Sequence, residues 1–237
     1  MSHTFIALGC SCTAVVGWTK HFREELQLNL IDLSEGSSSN LSQIIKLKNY
    51  LLNSNLIDKL DQVVLLWQIT SPSRKTGVLE KSIASNPYQN SYAFPGHEDY
   101  RDYFTYNLKF DQREVVGLLS HNPFFEDKKF NLYSTDAQFE QTIFDIVILS
   151  KLVKHTVIWY GWKDLDTPAR LENINNFLNQ QKNISLIPMH NSFIDWCREK
   201  KLEFHADGEH PKAKSSIEWG KQILLPTLQK ILPILHN

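Results

Sequence analysis

The chain has 237 residues, a formal net charge of −1, 42% hydrophobic residues and 22% charged residues, which is ordinary for a globular protein. No block of Lys and Arg is concentrated on one face, so we expect no nucleic-acid partner. The longest apolar runs, such as "VVLLW", are too short to span a bilayer. The first twelve residues have no basic start and no long apolar stretch, so we expect no signal peptide and a cytoplasmic protein.

The three cysteines are Cys10, Cys12 and Cys197. An odd, low count without a secretion signal argues against a disulfide framework. The "CSC" pair is at best half of a metal site, and no second cluster of Cys or His has ligand spacing. We therefore expect no metal and no cofactor.

Five short apolar runs predict buried strands, and the segments between them predict helices. The predicted strands are 4–9, 28–33, 62–70, 155–162 and 183–189. The predicted helices are 13–27, 41–53, 137–154, 168–180, 191–201 and a C-terminal helix that Pro226 should kink. A strand at the centre of 137–154 is an alternative, because "IFDIVIL" is apolar on most sides. Apolar strands that alternate with helices predict a three-layer α/β/α sandwich with a five-stranded parallel sheet.

Residues 71–135 follow the third strand and fit no simple alternation. They hold twelve Phe and Tyr residues between Tyr88 and Tyr133, and three prolines, Pro87, Pro95 and Pro123, interrupt this part of the chain. A loop of this length inside a domain is usually functional or carries its own small elements. We expect one domain over 1–237 with this aromatic-rich segment as an insertion or lid. Most of its rings should pack the insertion onto the sheet, and one or two are left for ligand contact.

Binding sites of such sheets form at the carboxyl ends of the strands. The polar segments there are 9–13, 34–40, 70–74, 161–163 and the loop that carries Asp207 and His210. In isolation each has a plain interpretation: Ser11 caps a helix, Gly36 belongs to a flexible turn, and Asp207 precedes Gly208 in a turn. The alternative is that Ser11 is a nucleophile near free N–H groups of a helix start, with His210 as base and Asp207 as its partner.

The order of these motifs along the chain resembles the SGNH, or GDSL-like, hydrolase superfamily. "LGCSCT" looks like its first block in the GCS-x-T version of a bacterial and phage branch, with Cys10 where Asp is usual. "NLIDLSEGSSSNLSQI" looks like the second block and "HADGEHPKA" like the last. The resemblance implies a flavodoxin-like sheet, a Ser11–His210–Asp207 triad, and an oxyanion hole that includes the N–H groups of Ser11 and Gly36.

The third block departs from that pattern. The family usually has Gly-x-Asn-Asp there, whereas this chain reads "WQITSPSR". Thr70 or Ser71 takes the role of the Asn in our interpretation, because a hydroxyl can donate to an oxyanion, and Gln68 is a second candidate. Further candidates for substrate contact, each with a surface or core role as the plain alternative, are Gln68, Arg74, His97 and Trp162.

Three hypotheses of function follow. The first is a serine esterase that hydrolyses a small acyl ester, such as acetyl, on a carbohydrate. The second keeps the triad but transfers the acetyl group to a polysaccharide or other glycan. The third is a non-catalytic binding module on the same fold. The resemblance favours Ser11 over the adjacent thiols as the nucleophile, and the expected partner is an ester substrate.

Overall fold

The computed structural model describes residues 3–10, 13, 17–35, 39–70, 74–78, 103–109, 112–114, 135–161, 168–208 and 210–232. The described strands are Thr4–Leu8 (β1), Leu30–Asp32 (β2), Val63–Ile69 (β3), Arg74–Val78 (β4), Tyr103–Lys109 (β5), Gln112–Glu114 (β6), His155–Tyr160 (β7) and Ile184–Leu186 (β8). The described α-helices are Trp18–Glu24 (α1), Asn40–Asn53 (α2), Thr135–Leu152 (α3), Pro168–Asn179 (α4), Phe193–Glu199 (α5), Ala213–Trp219 (α6) and Leu225–Ile231 (α7). Short 3₁₀ turns occupy Ile57–Gln62 and Met189–Asn191.

The five predicted strands form one parallel sheet in the order β2-β1-β3-β7-β8. This order confirms the predicted α/β architecture and its flavodoxin-like topology. The observed strands are shorter than the apolar runs that predicted them. Leu28 and Leu33, for example, pack against the core from just beyond the ends of β2. An apolar run predicts which residues are buried, and buried residues continue beyond the last hydrogen bond between neighbouring strands.

Each strand sends alternate side chains to opposite faces of the sheet, so the core has two halves. In β1, Ile6 and Leu8 belong to the half that is covered by α2, α3 and α4. Phe5 and Ala7 belong to the other half, which is covered by α1, α5, α6 and α7. The second half of the core contains a group of buried aromatic rings. These rings belong to Trp18, Phe22, Trp159, Phe193, Trp196 and Trp219. Trp67, Trp159 and Trp196 are all buried in the core.

The helix predicted over 137–154 is observed as α3, Thr135–Leu152, and the strand alternative at its centre is wrong. Its buried residues recur at helical spacing, at Phe139, Ile143 and Ile146, whereas Phe144 and Ile148 are about half exposed. An element of this length with that pattern cannot be a strand buried on both faces.

The C-terminal helix is distorted where Pro226 was expected to kink it. The helix passes from α6 into a π-helical turn over Gly220–Leu224 and then into α7, in which Pro226 lies in the first turn. Proline lacks an N–H, and its ring collides with the carbonyl four residues earlier in a regular α-helix. A widened turn gives that carbonyl room.

The insertion contains a small antiparallel sheet in the order β4-β5-β6. Strand β4 follows β3 directly in the chain and contacts α2. The aromatic side chains of this insertion lie outside the described part of the structure, so their predicted roles stay predictions. None of the described helices has the length and apolar character needed to cross a bilayer.

Candidate active site

The carboxyl ends of β1, β3 and β7 meet at one edge of the sheet. Leu8 is in register with Trp67, and Ile69 is in register with Tyr160. The backbone N–H of Gly161 donates to the Ile69 carbonyl at 3.2 Å. This register brings Gly9, Thr70 and Gly161 to the same edge, as parallel pairing of the predicted strands requires.

The turn after β1 is tied to the centre of the sheet. The Cys10 N–H donates to Gln68 Oε1 at 3.1 Å, and the Thr13 hydroxyl donates to the same oxygen at 2.8 Å. Within the turn, the Thr13 N–H donates to the Cys10 carbonyl at 2.9 Å. Ser11, the predicted nucleophile, belongs to this turn, but it lies outside the described residues, as does Cys12.

The loop after β2 is fastened to the turn after β1. The Glu35 N–H donates to the Gly9 carbonyl at 3.1 Å. Lys46, on α2, reaches the Leu33 carbonyl at 3.1 Å and the Glu35 carboxylate at 3.0 Å. Burial raises the pKa of Glu35 and lowers the pKa of Lys46, and their mutual attraction partly opposes both shifts. Gly36, the predicted oxyanion-hole glycine, follows Glu35 directly and lies outside the described residues.

Helix α2 begins with a reciprocal cap and then binds the third block. Ser39 is the N-cap: its hydroxyl accepts from the Ser42 N–H at 3.1 Å, while the Ser42 hydroxyl accepts from the Ser39 N–H at 2.9 Å. The next residue, Asn40, is buried and pairs with Thr70. Its amide donates to the Thr70 carbonyl at 3.0 Å, and its oxygen accepts from the Thr70 N–H at 2.8 Å. The sequence pattern does not predict this role for Asn40.

Two of the residues predicted around the third block have partners other than a substrate. Thr70 is fully buried, and its hydroxyl donates to Asn40 Oδ1 at 3.2 Å. For Thr70 to donate to an oxyanion, that hydroxyl would have to leave Asn40. Gln68 is also fully buried, and its oxygen accepts from the Cys10 N–H and from the Thr13 hydroxyl; its predicted contact with substrate stays a prediction. Ser71, the other predicted donor, lies outside the described residues.

Asp207 and His210 form a hydrogen-bonded pair. Asp207 Oδ2 lies 2.8 Å from His210 Nδ1, and Asp207 Oδ1 accepts from the His210 backbone N–H at 3.0 Å. An ionised carboxylate only accepts, so the shared hydrogen is carried by Nδ1. That tautomer leaves Nε2 as the ring nitrogen able to take a proton. The side chain of Asp207 is 48% exposed and that of His210 is 30% exposed, so both groups are accessible to solvent.

The loop that carries this pair is closed as a small hairpin. Phe204 and Pro211 form an isolated antiparallel bridge, and the His205 N–H donates to the His210 carbonyl at 2.8 Å. Gly208 has a positive φ of 67°, a conformation that glycine adopts without steric cost. The turn therefore folds back and places the Asp207 carboxylate beside the ring of His210.

Helix packing joins the two ends of the chain. Gly17, just before α1, lies against α6: a Cβ at this position would be 3.1 Å from Ile217 Cδ1 and 3.3 Å from the Ala213 carbonyl oxygen. The Trp18 N–H donates to the Ser216 hydroxyl at 3.3 Å. The segment that follows Ser11 is thereby held against the segment that follows His210.

The other residues that were predicted to contact substrate have side chains outside the described part of the structure. His97 and Trp162 lie outside the described residues, and for Arg74 only the backbone position in β4 is described. Cys197 is buried in the core, and its burial raises the pKa of the thiol to about 12, which suits an inert thiol. Over the described part of the chain, no group of three or more His, Cys, Asp or Glu side chains could hold a metal ion.

No protein-family model matches the chain, and no curated protein matches it. Among solved structures, it is similar to an alpha/beta hydrolase enzyme from the metagenome of Lake Arreo, with a TM-score of 0.48, 10% identity, and coverage of 100% of this chain and 99% of that chain. It is also similar to a catalytic mutant of an acetylxylan esterase from Geobacillus stearothermophilus, with a TM-score of 0.45, 11% identity, and coverage of 98% and 96%. A third is a GDSL-like lipase from Bacteroides thetaiotaomicron, with a TM-score of 0.44, 11% identity, and coverage of 97% and 89%. The chemistry of the site is inferred from this chain's own residues.

Proposed function

We propose that the protein is a serine esterase of the SGNH type that hydrolyses a small acyl ester, such as an acetyl ester, on a carbohydrate. The observation that carries the proposal is the Asp207–His210 pair, with its Nδ1 to Oδ2 distance of 2.8 Å. This pair lies in the loop before α6, and α6 packs against the start of α1, the helix that follows Ser11. The acyl group and the carbohydrate are what the motif resemblance implies.

In the proposed first step, Ser11 Oγ attacks the ester carbonyl carbon and its proton passes to His210 Nε2. The negative charge moves to the carbonyl oxygen, where the N–H groups of Ser11 and Gly36 and the hydroxyl of Ser71 are the proposed donors. The carboxylate of Asp207 holds the Nδ1 hydrogen and stabilises the imidazolium.

The tetrahedral intermediate then breaks its bond to the alcohol oxygen, which takes the proton from His210 and leaves. Water attacks the resulting acyl-enzyme, again with His210 as base. The free acid departs, and the serine hydroxyl is restored. No cofactor is needed for these steps.

The proposal is tested by treating the protein with a fluorophosphonate probe and mapping the labelled peptide by mass spectrometry. We expect one adduct, on Ser11, that is absent from Ser11→Ala and strongly reduced in His210→Ala. Hydrolysis of 4-nitrophenyl acetate should be lost in parallel. Unchanged hydrolysis by Ser11→Ala would refute the assignment of the nucleophile.

A further inference from the structure

Gln68 is a buried amide in the middle of the sheet. The strand that contains it, β3, reads "VVLLWQI", and all seven of its residues are buried. An amide at such a position has to be desolvated on folding, and an apolar side chain of similar size would avoid that cost. The Nε2 atom of Gln68 has no hydrogen-bond partner, so the cost is only partly offset.

Glycines on both neighbouring strands give the amide its space. A Cβ on Gly9, after β1, would lie 2.8 Å from Gln68 Oε1, and a Cβ on Gly161, after β7, would lie 2.8 Å from Gln68 Nε2. Such separations are too short for carbon against oxygen or nitrogen. The carboxyl end of β3 is therefore shaped on both sides to admit this side chain.

The oxygen of the amide accepts hydrogen bonds from residues on either side of Ser11. One donor is the backbone N–H of Cys10, the residue before Ser11, at 3.1 Å. Another is the hydroxyl of Thr13, two residues after Ser11, at 2.8 Å. The Cys10 thiol also lies 3.4 Å from this oxygen. One atom on a rigid strand thus fixes both flanks of the turn.

We propose that Gln68 is a positioning residue that sets the orientation of the proposed nucleophile, an inference that rests on the proposed function. Ser11 has to present its Oγ to His210 and to the ester carbonyl at the same time. A displacement of about 1 Å from that geometry can lower a rate by about 100-fold. The amide acts through Cys10 and Thr13 and touches no reacting atom.

The test compares Gln68→Met with Gln68→Glu. Methionine has similar length but removes the acceptor, so kcat for 4-nitrophenyl acetate should fall about 100-fold with KM nearly unchanged, and labelling by the fluorophosphonate should slow in parallel. A glutamic acid, kept protonated by its burial, retains Oε1 and should recover most of the rate.

Gln43→Met is the matched control. Gln43 is also fully buried, and neither of its amide atoms has a partner. Its substitution should leave kcat and the labelling rate unchanged. If Gln68→Met does not fold, Thr13→Val removes one of the two bonds instead, and its labelling should slow about tenfold.

The outcomes separate the two proposals. Wild-type protein that is not labelled at Ser11 contradicts the proposed function itself. Labelled wild type together with a folded Gln68→Met, or a Thr13→Val, that reacts at the wild-type rate contradicts only the role of Gln68. A Gln68→Glu variant as slow as Gln68→Met also contradicts it, because the retained oxygen would then have no effect.

Discussion

Replacing Asp207 by asparagine should change the tautomer of His210 while leaving the shape of the loop intact. The carboxylate accepts two hydrogen bonds, one from the His210 backbone N–H at 3.0 Å and one from Nδ1 at 2.8 Å. An asparagine has one oxygen and one NH₂ group. If its oxygen keeps the backbone bond, the NH₂ faces Nδ1 and can bind only a ring nitrogen that carries no hydrogen. The ring hydrogen then moves to Nε2, the atom that has to accept the proton of Ser11.

The expected loss is large in activity and small in stability. A histidine locked in the wrong tautomer, without a carboxylate to stabilise its cation, lowers kcat by about 10⁴-fold. At about 1.4 kcal/mol per factor of ten, this corresponds to about 5 kcal/mol of transition-state stabilisation. The side chain of Asp207 is 48% exposed, and the net stability contribution of an exposed pair is below about 1 kcal/mol.

The assay is hydrolysis of 4-nitrophenyl acetate, with urea unfolding of the same preparations. Glu203→Gln is the control on the same hairpin, because it removes the exposed carboxylate charge that faces Lys212 at 2.9 Å and leaves Asp207 and His210 unchanged. We expect the control to keep the wild-type kcat. An Asp207→Asn variant with kcat within tenfold of wild type would refute the triad assignment. Equal losses in Asp207→Asn and Glu203→Gln would instead indicate damage to the hairpin.

Two further substitutions test the supports of the site. Gly9→Ala places a Cβ against Thr13 and 2.8 Å from Gln68 Oε1. We therefore expect the free energy of unfolding to fall by about 1–3 kcal/mol. An unchanged urea unfolding curve would contradict that packing. Lys46→Met removes the attraction that lowers the pKa of Glu35, so that pKa rises further above its ordinary 4.5. Because the folded variant then holds the proton more tightly than the unfolded chain, its stability should fall as pH rises above about 4.5. A loss of about 2 kcal/mol is expected at pH 8 and little at pH 4, and a loss that did not depend on pH would contradict the role of the Glu35 charge.

The five strands of the parallel sheet could be predicted from the sequence because buried strands appear as apolar runs, whereas their flavodoxin-like arrangement was implied only by the motif resemblance. The ends of the strands could not be predicted, because residues such as Leu28 and Leu33 are apolar and pack against the core although they lie outside the hydrogen-bonded strand. The interval 137–154 shows the limit of a local apolar pattern: "IFDIVIL" is compatible with a strand until the spacing of the buried residues over the whole helix is known.

The residues that support the site were harder to find. Asp207 and His210 could be selected as candidates because "HADGEHPKA" resembles the last block of the SGNH superfamily, whereas their spacing of three residues alone fits an ordinary turn. The partners of Gln68 and Asn40 could not, because each bond joins segments far apart in the chain and depends on strand register. The available signal was the type of residue: a glutamine inside an apolar strand has to have a reason to be there. Glycines at the ends of the two neighbouring strands, Gly9 and Gly161, add a second signal.

The hairpin around Asp207 and His210 bears on how the proposed site would assemble. The loop that joins these two residues is so short that closing it costs little entropy, so two of the three residues of the proposed triad can come together without the rest of the protein. Ser11 comes from the N-terminal part of the chain, and we expect it to join this pair when α6 docks beside Gly17 and Trp18. Regain of hydrolysis during refolding would therefore follow the docking of the last helices, even when the parallel sheet has formed earlier. The rate at which hydrolysis is regained would therefore report the rate of this last docking step, and not the rate at which the sheet forms.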